Sequence, residues 1–132
     1  MPINSRHYRV TLSNVISAHD SALQYGGRDG IRDLSLIESA IGRPYTGYYR
    51  FIHQKAAALL HSLALNHGFI DGNKRTALLS VHILLDRSGY TFSAINDDAL
   101  QDDLEILILD VVNQTLDYDG LVEWMKNRIR RI

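Results

Sequence analysis

The chain has 132 residues, is 45% hydrophobic and 22% charged, and carries a formal net charge of −1. That size and balance suit one soluble globular domain over 1–132 with a sizeable core, and they give no electrostatic case for direct nucleic-acid binding or a membrane-surface role. The absence of cysteine excludes disulfides, thiol catalysis and Cys-based zinc sites.

The N-terminal stretch over 1–9 is polar and basic and lacks the apolar core of a signal peptide. No apolar run is long enough to span a bilayer, so no membrane association and a cytoplasmic location are expected. Asn113-Gln114-Thr115 matches a glycosylation sequon and reads, without secretion, as chance.

Helical patterning begins at Thr11, a candidate N-cap, and places Leu12, Val15, Ile16, His19 and Leu23 on one face. Tyr25-Gly26-Gly27 ends that helix. The glycine-rich stretch over 26–30 lacks the G-x-x-x-x-G-K-(S/T) pattern of a phosphate loop and reads as a turn. Asp33 caps a short second helix carrying Leu34, Ile37 and Ile41, stopped by Gly42 and Pro44. Residues 45–50 interleave tyrosines with Gly47 and Thr46, which suits an extended loop or small hairpin.

Residues 51–66 are rich in Ala and Leu and predict a buried central helix. A second central helix is predicted over 73–88, stopped by Gly89. A fifth starts at Asn96 or Asp97 and runs to about 113, with Leu100, Leu104, Leu107, Ile108 and Val111 inward. Its Asp102, Asp103 and Glu105 read as a solvated face. A sixth runs from about Gly120 with Leu121, Trp124, Met125 and Ile129 inward, and Arg128, Arg130 and Arg131 read as a charge cluster favourable at its C-terminus. The expectation is an all-α, compact bundle of about six helices with a catalytic loop between the two central ones. His53, His61 and His82 lie on apolar helices and form no metal set.

That loop, His67-Gly68-Phe69-Ile70-Asp71-Gly72-Asn73-Lys74-Arg75, carries the chemistry. A helix N-terminus offers unpaired N–H groups and partial positive charge to an anion. Gly72 lets the backbone approach a ligand, and Asn73 can cap or hold the loop. Lys74 and Arg75 add charges that suit phosphate, although they oppose the helix dipole unless an anion sits beside them. Asp71 is a hard oxygen ligand of the kind that holds Mg²⁺ together with substrate phosphates. Histidine titrates near neutrality, so His67 can accept a proton from an attacking hydroxyl. Phe69 pins the loop to the core.

The stretch resembles the Fic signature, H-x-F-x-(D/E)-(A/G)-N-(G/K)-R, with every specified position filled. Lys74 is similar to the Doc (death-on-curing) branch. Upstream, His19-Asp20, Tyr25-Gly26-Gly27, Gly30, Asp33, Glu38 and Ala40-Ile41-Gly42-Arg43 resemble the N-terminal half of Doc proteins. The resemblance covers most of the chain to about Gly89. It implies that His67 activates the hydroxyl of a target protein, that Asp71 holds Mg²⁺ or supports the base, and that Arg75 completes the catalytic set. It also implies that Gly72, Asn73, Lys74 and Arg75 grip the phosphates of ATP or another nucleoside triphosphate. Phe69 would anchor the loop, and Tyr45, Thr46, Gly47 and Tyr48 would form a flap positioning the target.

For the Doc branch the implied reaction is transfer of the γ-phosphoryl to a threonine of elongation factor Tu, which stops translation. The larger Fic branch transfers AMP and has Gly at the position of Lys74. The inhibitory helix of many Fic proteins, Ser/Thr-x-x-x-Glu-Gly/Asn, is missing: Glu38 precedes Ser39, Glu105 precedes Ile106 and Glu123 precedes Trp124. Restraint is therefore expected in trans, from a Phd-like antitoxin. Two alternatives stand beside the kinase-type toxin: an adenylyltransferase, and a silent module that only binds a partner.

Overall fold

The computed structural model describes residues 7–132. The basic stretch over 1–9 lies largely outside the described residues. Among those described, six α-helices are joined by short turns and closed by one two-stranded sheet. None of the helices is long and apolar enough to cross a membrane.

α1 spans Leu12–Ala22 and continues as a 3-10 turn over Leu23–Tyr25. Its start is a reciprocal cap, in which Thr11 Oγ1 accepts from the Asn14 N–H and Asn14 Oδ1 accepts from the Thr11 N–H. α2 spans Leu34–Gly42, and Asp33 Oδ1 accepts from the N–H groups of Ser35 and Leu36. A 3-10 turn over Arg43–Tyr45 follows.

α3 spans Ile52–Leu65 and is the centre of the molecule. Ala56, Ala57, Ala58, Leu59 and Leu60 are all at 0% exposure, so the helix is covered on every side. Small alanines let its neighbours approach closely. α4, over Asn73–Ser88, packs along it, α6 (Tyr118–Arg128) lies on another side, and α1 packs on α4. Val81, Leu84, Leu85, Leu121 and Met125 join α3 in one continuous core. α5, over Asp97–Val112, adds Leu104, Leu107, Ile108 and Val111 to it.

Four departures from the sequence expectations have local causes. Residues 46–48 form bends and 49–50 are irregular, so of the two expected forms the segment is a loop and not a hairpin. They are tied down by Arg43, which donates to Tyr49 Oη, His61 Nδ1 and Ser62 Oγ and lies over the Tyr118 ring. α6 starts at Tyr118 rather than near Gly120, because Asp117 Oδ1 accepts from the Gly120 N–H. Arg130 and Arg131 lie on a strand, not a helix end. Strand β1 (Tyr90–Phe92) pairs antiparallel with β2 (Ile129–Arg131), Phe92 opposite Ile129. Finally, the acidic face of α5 is partly neutralised: Arg128 forms a salt bridge to Asp103 at 2.8 Å.

Burial is the largest cause holding His53, His61 and His82 below the usual histidine range. The cations Lys126 and Arg43 add to it at His53 and His61. A histidine lowered on folding binds its proton more weakly folded than unfolded. Its stabilisation is therefore complete above the ordinary value of 6.5 and lost as pH falls through 6.5 toward the folded values. At His61 the reason is visible, since Nδ1 must be unprotonated to accept from Arg43. We expect a lower thermal midpoint at pH 5.5 than at pH 7.5, measured by circular dichroism. Equal midpoints would show that these rings stay free to protonate in the fold.

Candidate active site

α3 delivers the chain to the site at its C-terminal end, and α4 carries it away. Between them the loop over 66–72 is held from three directions. The first hold is internal: Asn73 Oδ1 accepts from the Phe69 N–H and Asn73 Nδ2 donates to the Phe69 carbonyl, both at 3.0 Å. One side-chain amide thus satisfies both backbone groups of a buried residue. The second is aromatic. Phe69 is 2% exposed and stacks on His19 of α1, with centroids 3.9 Å apart and planes at 9°. His19 Nε2 lies 2.8 Å from the Asp71 carbonyl; since a carbonyl only accepts, that nitrogen carries the proton. The third is a short antiparallel bridge between Ile31 and Phe69, flanked by the Ile70 N–H donating to the Gly30 carbonyl.

With Phe69 and Asn73 turned inward, the polar groups turn outward. His67 and Asp71 are exposed, as are Lys74 and Arg75. His67 sits at φ +52, one of two non-glycine residues with positive φ among those described. That left-handed conformation swings its side chain out of the α3 path. Gly72 also has positive φ (+78) and starts α4 without a side-chain cap. The first N–H to be taken within α4 is that of Thr76, by the Gly72 carbonyl. The N–H groups of residues 73–75 have no protein acceptor among the described residues, and they face the end where the two cations stand.

Asp71 is oriented rather than free. Its Oδ1 accepts from the Gly72 N–H and its Oδ2 from the Arg28 N–H. Those two bonds, led by the one from Arg28 and helped by Lys74 and Arg28 charge, hold its carboxyl below the usual range, so it is ionised at neutral pH. Gly27 (φ +113) abuts the carboxylate so closely that an added Cβ would meet Oδ2 at 3.1 Å. The Arg75 guanidinium lies 4.7 Å over the ring of Tyr25 in a cation–π contact.

These residues open onto one cleft of about 690 Å³. One wall holds His67, Asp71, Gly72, Asn73, Lys74 and Arg75; the opposite wall is α5, with Gln101, Glu105, Ile108 and Leu109. Phe69 is turned into the core, whereas His67, Asp71, Gly72, Asn73, Lys74 and Arg75 meet at this cleft. The expected flap does not: Tyr45, Thr46, Gly47 and Tyr48 are not part of its lining. Tyr45 is committed elsewhere, accepting from the Val10 N–H and donating to the Tyr8 carbonyl, with Thr46, Gly47 and Tyr48 exposed beyond it. Asn73 also differs in part from its expected role, because its side-chain amide closes the loop and only its backbone N–H is left for a ligand. His19, Tyr25 and the α5 wall were not legible as site elements. His19 and Tyr25 carried a signal only as parts of the upstream resemblance, and His19 also as a histidine on an apolar helical face.

An exposed histidine and a helix start carrying unpaired N–H groups and two cations share one cleft in an all-α fold, on a helix–loop–helix. The chain belongs to the Fic/Doc family, whose model matches residues 9–85, more than half its length. It is 35% identical over 105 residues to the "Toxin Doc" of Mycolicibacterium smegmatis, covering 76% of this chain and 78% of the relative. It is 34% identical over 85 residues to the "Protein kinase doc" of Escherichia phage P1, covering 61% and 68%.

Two substitutions test the construction of the loop. Asn73→Ala leaves both backbone groups of Phe69 without their partner and should lower stability by about 1–3 kcal/mol in urea denaturation. Unchanged stability would mean that solvent replaces the amide without penalty. Gly27→Ala should displace the Asp71 carboxylate and strain a left-handed position, moving the Asp71 side-chain carboxyl resonance in NMR while the protein stays folded. An unmoved resonance would show that the Gly27 contact does not orient Asp71.

Proposed function

We propose that this chain is a Doc-type toxin of a toxin–antitoxin pair. It would transfer the γ-phosphoryl of a nucleoside triphosphate to a hydroxyl of a target protein in the cytoplasm. By the resemblance, the acceptor is a threonine of elongation factor Tu, whose modification blocks translation. The observation that carries the proposal is the shared cleft: the exposed His67 faces the same space as the unpaired N–H groups, Lys74 and Arg75 at the start of α4.

In this reading the target hydroxyl oxygen attacks the γ-phosphorus and its proton passes to His67. The bond from the γ-phosphorus to the β–γ bridging oxygen breaks, and the nucleoside diphosphate leaves. Lys74, Arg75 and the N–H groups of 73–75 hold the phosphate oxygens where charge builds, as phosphoryl transfer requires positioning and charge stabilisation more than covalent help. The carboxylate of Asp71 fits a Mg²⁺ ion shared with those phosphates, since such ions commonly take one or two protein carboxylates. The ion would supply charge neutralisation at the transferred group. Two relatives, one named a toxin and the other a protein kinase, agree with this reading. Absence of an internal inhibitory motif favours control by a separate Phd-like antitoxin.

The test uses purified protein, Mg²⁺, elongation factor Tu and ATP labelled at the α- or the γ-phosphate. Label arriving from γ alone is expected. Label from α would make the chain an adenylyltransferase, and label from neither, with growth arrest also missing in cells, would leave a partner-binding module. His67→Ala should abolish transfer, by about a hundredfold or more for a lost general base, while the protein stays folded. Lys74→Gly should weaken γ-transfer by roughly tenfold; an unchanged rate would show that Lys74 does not hold the phosphates.

A further inference from the structure

Resting on the assignment of His67 as the base, we propose that Arg32, outside the signature, is the residue that positions it. Arg32 Nε donates to the His67 carbonyl at 2.6 Å and Arg32 Nη2 donates to the Asn66 carbonyl at 3.2 Å. The Arg32 and Asp33 N–H groups both donate to the Gly68 carbonyl, at 2.8 and 3.0 Å. Three consecutive carbonyls, 66, 67 and 68, are thus held by residues 32 and 33.

The geometry has a specific consequence for His67. The Asn66 carbonyl marks the peptide plane before the His67 Cα, and the His67 carbonyl marks the plane after it. A rigid guanidinium that holds both fixes φ and ψ of His67 together. This is the position at φ +52, where a non-glycine residue does not settle unless its surroundings determine it. Arg32 is exposed and forms no salt bridge among the described residues. Its neighbour Asp33 is engaged by the start of α2 through Oδ1. The charge of Arg32 is therefore directed at the carbonyl end of α3, where a cation is also favoured by the helix dipole.

Helix capping alone would change stability and leave turnover of the folded protein intact. Positioning predicts a kinetic signature instead. Arg32→Ala, assayed at a temperature where circular dichroism shows it folded, should lose roughly ten- to a hundredfold in kcat, as a small misplacement of a catalytic group does. Its KM for ATP should stay within about twofold, because the phosphate-holding groups lie on α4. Guanidinium ion at millimolar concentration should restore part of kcat, and Arg32→Lys should restore part by bonding one carbonyl. If Arg32→Ala does not fold, Arg32→Gln, which keeps one donor, takes its place. A kcat within twofold of the parent, or a rise in KM accounting for the whole loss, would overturn the positioning role. His67→Ala in the same assay separates the two claims. If it is inactive while Arg32→Ala is fully active, only the Arg32 inference fails; if it is active, the base assignment fails and Arg32 with it.

Discussion

The closure of the Asn73 amide on the backbone of Phe69 is the constraint from which the cleft follows. A seven-residue connection between two packed helices has few ways to satisfy its own N–H and C=O groups away from water. Here one side chain at the start of α4 takes both groups of the single loop residue that enters the core. With that residue fixed and stacked on His19, and with His67 in a left-handed conformation, the loop turns its polar side chains outward. His67 and Asp71 reach solvent because Phe69 and Asn73 do not.

Electrostatics then acts on a geometry already set. The C-terminal end of α3 and the N-terminal end of α4 bring opposite ends of two helix dipoles to one loop. Arg32 answers the first end, whereas Lys74 and Arg75 add to the second rather than oppose it. First-turn acids, which would quiet that end, are missing from α4 although α5 and α6 both have them. The helix is left with a net demand for an anion, and Asp71, facing the same space, keeps the site from being uniformly positive.

Much of this was legible in the sequence where one residue type has one physical use. Thr11, Asp33 and Asn96 announced helix starts because a short polar side chain ahead of an apolar period has few other roles, and each is the N-cap found. The end of α4 followed from Gly89, which is left-handed, whereas the residue found at its N-cap is the left-handed Gly72 rather than Asn73. What stayed hidden depends on distant pairing. β1 and β2 are three residues each, too short for a period-2 pattern to declare itself, and they meet where the chain leaving left-handed Gly89 runs beside the end of α6. Arg32 reads as an ordinary surface cation until its 2.6 Å bond to a residue 35 positions away is seen. The position of 45–48 away from the cleft lining was hidden for a related reason: the Tyr45 hydroxyl is claimed by Tyr8 and Val10, and nothing local to 45–50 signals that tie.

The left-handed backbone at His67 has a bearing on protein engineering. Glycine or asparagine would rest at that dihedral more comfortably than histidine does. A variant library screened only for thermal tolerance would therefore enrich those residues at position 67 and discard the imidazole in the same round. Any hardier version of this chain would have to be selected with that position held fixed, because resistance to heat and retention of the imidazole pull in opposite directions there.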